Sequence, residues 1–214
     1  MSRLMRKRGL IAGTSPKSAV SEAYRSLRAN IEFSNRDETL KTIAITSALS
    51  GEGKSTVSSN IAVAYAQANR NVLLIDADLR TPVQHQIFEL SNHIGLSTAL
   101  AMRSEIGDVI QKSNIDNLQL ITAGPIPPNP SELLDSIPMA SLLGMAKEMF
   151  DIVIIDTPAI TMFADALVVA NKCDGVVLVM NSGKVKNEIA IKAKESLEYG
   201  KATIIGAVLN NVSG

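Results

Sequence analysis

Residues 48–56 read Ala-Leu-Ser-Gly-Glu-Gly-Lys-Ser-Thr, and these residue types in this order are suited to holding a phosphate. Gly51 and Gly53 let the backbone curl until successive N–H groups face an anion. A helix starting near Ser55 adds the positive end of its dipole. Lys54 is placed to reach the β- and γ-phosphates of a nucleotide, and the Ser55 hydroxyl to ligate Mg²⁺. Ser50, Glu52 and Thr56 complete the stretch expected to wrap ATP. The usual pattern begins with Gly and this one with Ala48, which is small enough for a tight turn at negative φ. The apolar run Thr42–Thr46 precedes the loop and a helix-like segment, 58–66, follows it. That strand–loop–helix context separates a phosphate loop from a glycine turn carrying a surface lysine.

Two acidic stretches extend the chemistry. Val72-Leu-Leu-Ile-Asp76-Ala-Asp78-Leu-Arg80 ends an apolar run in two carboxylates, which period-two geometry directs to one side. Like charges this close repel, and a bound cation would relieve them. Arg80 is placed to pair with a phosphate or a carboxylate. In Asp151-Ile-Val-Ile-Ile-Asp156-Thr-Pro158, four apolar residues lead to an acid, the pattern whose carboxylate holds Mg²⁺ beside the phosphate loop. Thr157-Pro158 then bends the chain into a loop positioned to sense the γ-phosphate. Asn210, closing the last apolar run, offers a donor and an acceptor for an adenine, or else simply favours a turn. His85 and His93 lack partners at metal spacing and read as ordinary surface or helix residues. Met139, Met145 and Met149 read as core filler at helical spacing.

The elements that must position these groups are legible as alternation. Apolar runs at 42–46, 72–75, 118–122, 152–155, 176–180 and 203–209 are nearly continuous, the mark of strands buried on both faces of a parallel sheet. Helix-like stretches at 55–68, 139–148, 163–171 and 185–199 separate them, with a further short helix starting at Ser131. The predicted fold is therefore α/β: a doubly wound, mainly parallel sheet of P-loop NTPase type with helices on both faces. Ligands in such sheets sit at the carboxyl ends of the strands, where the motifs above fall. Residues 81–115 read as short helices covering one edge, and 124–130, Gly-Pro-Ile-Pro-Pro-Asn-Pro, as a stiff extended loop.

The chain of 214 residues reads as a single domain with a basic tail over 1–15, where Arg3, Arg6, Lys7 and Arg8 cluster. That cluster is a solvated tail or a weak electrostatic contact with anionic lipid. Lys plus Arg and Asp plus Glu both total 21, so no global field favours nucleic acid. The absence of Trp argues the same against base-stacking platforms. Cys173 is the sole cysteine, which excludes an internal disulfide and suits a reducing cytoplasm. No apolar run approaches the about 20 residues that span a bilayer.

Glu22-Ala-Tyr-Arg25-Ser-Leu-Arg28 spaces an acid and two arginines by three, one broad face of a helix. Together with Gly51-Glu-Gly-Lys-Ser55, Asp76-Ala-Asp78-Leu-Arg80 and Asp156-Thr-Pro158, this set resembles the bacterial tyrosine kinases of capsule and exopolysaccharide operons. The segment Gly124-Pro-Ile-Pro-Pro-Asn-Pro-Ser-Glu-Leu133 strengthens the resemblance, which runs from about Ser15 to Asn211. Partition and septum-site ATPases share the fold but carry an extra lysine early in the loop, absent from Ala48-Leu-Ser-Gly51. The resemblance implies an ATP-dependent protein tyrosine kinase regulating polysaccharide synthesis and export. It implies Lys54 and the loop amides stabilising the transferred phosphoryl group, and Ser55, Asp78 and Asp156 organising Mg²⁺. It also implies Asp76 as base or orienter for a tyrosine hydroxyl, and Glu22, Arg25 and Arg28 joining protomers into a ring. A membrane-anchored chain-length protein is the implied activator, holding the kinase at the inner face of the membrane. Members end in a tyrosine cluster, whereas the only tyrosines here are Tyr24, Tyr65 and Tyr199. Either that tail was removed or this member lacks it. The alternative reading is a nucleotide-switched oligomeric scaffold that phosphorylates nothing.

Overall fold

The structure is a computed structural model that describes residues 10–34, 40–102 and 104–212. The chain enters through α1 (Ile11–Thr14) and α2 (Ala19–Ser34) before β1 (Thr42–Ser47). Helix α3 (Lys54–Ala66) leads to β2 (Val72–Asp76), followed by the short helices α4 (Gln84–Ile87), α5 (Leu96–Met102) and α6 (Ile106–Val109). After β3 (Gln111–Lys112) and β4 (Leu118–Ile121) come α7 (Pro130–Asp135) and α8 (Ile137–Met149). The chain then forms β5 (Ile152–Asp156), α9 (Asp165–Ala170), β6 (Gly175–Asn181), α10 (Asn187–Tyr199) and β7 (Ile204–Asn210).

The seven strands are ordered β3-β4-β2-β5-β1-β6-β7, parallel throughout except for the antiparallel β3–β4 pair. The continuous apolar runs follow from coverage on both faces. Successive residues serve opposite cores: Ile43, Ile45, Val72 and Leu74 pack under α1–α3, while Ala44, Leu73 and Ile75 pack under α5 and α7–α10. The register aligns Asp76 on β2 with Asp156 on β5, bringing the two acidic motifs together at one sheet edge.

Several sequence expectations need correction. The tail predicted over 1–15 is packed at its inner end: the Ala12 N–H donates to Asn60 Oδ1 at 2.8 Å, and Gln67 Nε2 donates back to the Ala12 carbonyl at 2.9 Å. An apolar turn docked on α3 outweighs the basic character of the preceding residues. Arg3, Arg6, Lys7 and Arg8 lie outside the described residues. Within the segment read as short helices, Gln111–Lys112 pairs with β4 as an edge strand. β7 is not buried on both faces, because it too is an edge, and Leu209 is 61% exposed. Met139 fills the core as expected, but Met145 and Met149 are 39% and 53% exposed and lie on the outer side of α8. Helix 163–171 begins only at Asp165, leaving Phe163 in the preceding loop.

Candidate phosphoryl-transfer site

The phosphate loop joins β1 to α3. Gly51 and Gly53 have φ of 80° and 94°, a region open to glycine and costly for residues with a Cβ. At Gly53 the requirement is double, since a Cβ would stand 2.0 Å from Asn210 Nδ2. That amide donates to the Glu52 carbonyl at 2.9 Å, so the end of β7 braces the loop. The Glu52 side chain is buried within the loop scaffold. Its carboxylate accepts the Leu49 N–H at 2.6 Å and the Asn181 N–H at 3.1 Å, tying the loop to itself and to β6. Only the backbone of Glu52 is left to meet a phosphate. Ser55 and Thr56 open α3, directly after Lys54.

Lys54 gathers the acids. Its Nζ lies 2.7 Å from Asp78 Oδ2, 3.2 Å from Ser55 Oγ and 4.0 Å from Asp156 Oδ1. Burial works to lower the Lys54 pKa, but the charges of Asp156 and Asp78 outweigh it and hold the ammonium protonated. Asp78 is itself buried, which favours its neutral form; its ion pair with Lys54 and hydrogen bonds from Thr81 win, and its pKa falls. Thr81 contributes its N–H at 2.9 Å to Asp78 Oδ1.

Asp76 and Asp156 behave oppositely. Both are fully buried, and burial pushes their carboxyl pKa values up, Asp76 well above the ordinary carboxylate range. The Asp156 charge raises Asp76 further, against the Gln84 N–H and Lys54, which lower it. Lys54, Ser55 and Gln84 oppose the rise at Asp156. Both Asp76 oxygens are engaged by backbone: Oδ1 accepts Asp78 N–H at 3.2 Å, and Oδ2 accepts Val83 and Gln84 N–H at 3.1 and 2.9 Å.

Gln84 is a functional residue that the sequence reading did not find. Buried in α4, it donates from Nε2 to Asp156 Oδ2 at 2.8 Å and to the Ser55 carbonyl at 3.1 Å. Its Oε1 accepts from Ser59 at 2.8 Å. Its side-chain amide thus joins the phosphate-loop helix to β5, while its backbone N–H holds Asp76 on β2. A lone glutamine in an irregular segment carries no motif that would have revealed it. Arg80 pairs with a carboxylate: its Nε donates to buried Asp165 Oδ2 at 2.8 Å, with the guanidinium 4.1 Å above the Phe163 ring. Ser131 also donates to Asp165, so Arg80, α7 and α9 meet on one acid.

These donors fit a small hard cation shared with a nucleotide. Mg²⁺ takes one or two carboxylates together with phosphate oxygens and water, and three crowded acids beside a hydroxyl offer that set. Among the described residues no three His, Cys, Asp or Glu side chains form a self-standing metal cage. Glu22, Arg25 and Arg28 lie away from this site on α2. Tyr24 and Ile31 form that helix's buried face, and Arg25 Nε pairs with Glu22 at 2.8 Å. Arg28 reaches Glu32 at 4.0 Å, while its buried Nε has no hydrogen-bond partner.

Comparison with known proteins places this arrangement. The AAA domain model matches residues 40–188. The tyrosine-protein kinase YwqD of Bacillus subtilis is 49% identical over 204 residues, 95% of this chain and 86% of that protein. The solved CapA2B2 chimerical protein superposes with a TM-score of 0.93 at 42% identity, covering 97% of this chain and 91% of that one. The kinase domain of the Escherichia coli tyrosine kinase ETK gives 0.90 at 36% identity, covering 96% and 82%.

Proposed function

Because the chain belongs to the bacterial protein-tyrosine kinases of capsule and exopolysaccharide systems, we propose that its phosphate loop and paired acidic strands transfer the γ-phosphoryl group of ATP to tyrosine hydroxyls. The protein is a tyrosine-protein kinase of capsular or exopolysaccharide synthesis with a P-loop nucleotide-binding domain. The observation that carries the mechanism is Lys54, held by Asp78 and Asp156 at the mouth of the phosphate loop.

Phosphoryl transfer passes through a loose transition state, so positioning and charge stabilisation do most of the catalytic work. The N–H groups of residues 50–56 and the start of α3 cradle the β- and γ-phosphates. Lys54 leaves its carboxylates for the equatorial oxygens of the moving group. Ser55, Asp78 and Asp156 would hold Mg²⁺, which would supply charge neutralisation for the nucleotide phosphates. Asp76, with both oxygens gripped by backbone N–H groups, acts as an orienter of the acceptor side. Asn210, its amide donating to the Glu52 carbonyl, would have its side-chain carbonyl to offer an adenine.

Assembly and location form part of the same reading. Glu22 and Arg25 stand on the exposed side of α2 and Arg28 flanks its buried face, a set suited to a neighbouring protomer in a ring. The likeness to the CapA2B2 chimera supports a CapA-type activator, which we take to be membrane-anchored. No helix among the described residues is long and apolar enough to cross a membrane, so such a partner would supply the inner-face location.

The test uses ATP labelled at the γ-phosphate, Mg²⁺ and a peptide with clustered tyrosines, with and without the cytosolic end of the activator. Phosphotyrosine that disappears with Lys54→Met is expected. Phosphate release without phosphotyrosine would overturn the assignment in favour of a nucleotide-switched scaffold.

A further inference from the structure

The chain has three tyrosines, and the structure treats them very differently. Tyr24 is 8% exposed in the α2–α3 interface, and Tyr65 is 3% exposed on α3. Tyr199 is 90% exposed. We propose that Tyr199 is a phosphoacceptor of this kinase within its own folded domain, modified by a second molecule. This rests on the kinase reading above.

The local structure favours presentation of this hydroxyl. Tyr199 is the last residue of α10, and the chain turns immediately through Gly200 and Lys201, the latter at φ 59°. Helix termini open at little cost, so the side chain can enter another molecule's site while the preceding turns stay folded. Leu197, fully buried two residues earlier, anchors the helix to the core. Reaction within one molecule is disfavoured by position. α10 begins next to the sheet edge that bears the active site and runs back for 13 residues, about 20 Å at the helical rise.

The surroundings leave the hydroxyl open to a second molecule. Tyr199 borders an open groove of about 540 Å³ that is also lined by Lys192, Glu195, Ile160 and Thr161. The last two residues belong to the loop after Asp156, and they bond back to the start of the phosphate loop: Ile160 N–H to the Ser47 carbonyl at 2.9 Å, and the Thr161 hydroxyl to the Ala48 carbonyl. The groove that Tyr199 borders at the far end of α10 therefore extends toward the segment that carries the phosphate loop.

The step balances with reactants the kinase already uses. The bond between the γ-phosphorus and its bridging oxygen breaks, and a new bond forms from the Tyr199 oxygen to that phosphorus. ADP leaves with the electron pair, and the phenolic proton passes to solvent. The experiment incubates wild-type protein with ATP and Mg²⁺, adds a clustered-tyrosine peptide as an internal control of activity, and maps the products by tandem mass spectrometry. Expected is a single phosphate per chain, on Tyr199, lost in Tyr199→Phe although that variant still phosphorylates the peptide. Lys54→Met alone should stay unmodified, yet acquire the Tyr199 phosphate when mixed with wild type. Phosphorylation of the peptide with Tyr199 left bare would overturn the inference and leave the kinase reading standing. Failure to phosphorylate either substrate would remove the kinase reading, and the inference with it.

Discussion

Lys54 in the resting protein acts as counter-ion to an acid cluster. Replacing it with Met removes a transition-state charge, and phosphotransfer is expected to fall by about 10²–10³-fold, read as labelled peptide per minute. The variant also leaves Asp76, Asp78 and Asp156 without their cation. The pH dependence of stability follows from the same group of residues. Asp76 and Asp156 have folded pKa values above the unfolded one, so the folded state binds more protons than the unfolded chain in that window. Their stabilising contribution is present at low pH and is lost as pH rises through the raised values. Asp78 runs the other way, contributing above the ordinary carboxylate range and losing that contribution on acidification. The Tm of protein kept in EDTA should therefore decline as pH climbs above the carboxylate range, and MgADP should flatten the decline. A slope that is identical with and without MgADP would show that the acids are not the source. Asp165 supports the site from behind. Asp165→Asn removes the charge that fixes Arg80 and should cost about 1–2 kcal/mol in denaturant unfolding, since the guanidinium is partly solvated. A roughly tenfold lower kcat with an unchanged KM is expected, as the Asp78 end of β2 loses its support.

At the level of the element, the loop between β1 and α3 has little freedom to vary. Gly53→Ala meets both a positive φ and the Asn210 amide, and should weaken nucleotide binding by at least about tenfold in a fluorescent-nucleotide titration. Adding Asn210→Ala relieves the contact but not the φ, so the double variant should recover only in part. Full recovery would mean that crowding alone set the requirement. Six of the seven strands were legible as unbroken apolar runs, which burial on both faces explains for every one but the edge strand β7. β3 was not, because two polar residues, Gln111 and Lys112, pair at a solvent edge with no apolar signal to mark them. The same limit hid α1, whose four residues are too few for a period. In the site, glycines and acids at fixed spacing announced Lys54, Asp76, Asp78 and Asp156. Gln84 and Asp165 were silent, since their importance lies in what packs against them from distant stretches of chain. Spacing also misplaced Met145 and Met149, because helical periodicity marks a face without saying which neighbour covers it.

On the scale of the whole molecule, α2 is the outward element and α3 the buried one beneath it. Replacing Arg25 and Arg28 by Ala should reduce the mass seen in light scattering to that of smaller species, while nucleotide affinity measured below the assembly concentration stays near wild type. An unchanged mass would reject α2 as the contact between protomers. α3 is buried along nearly its entire length, so the helix beneath the proposed contact surface is the same one whose first turn carries Lys54 and Ser55. The proposed ring contact on α2 thus packs against the same rigid helix that opens the phosphate site. Any energetic exchange between them must be symmetric: whatever factor ring closure adds to the affinity for ATP, ATP adds to the affinity of protomer for protomer. Cellular ATP supply and the local crowding of protomers then become interchangeable inputs, and a shortage of one can be met by an excess of the other.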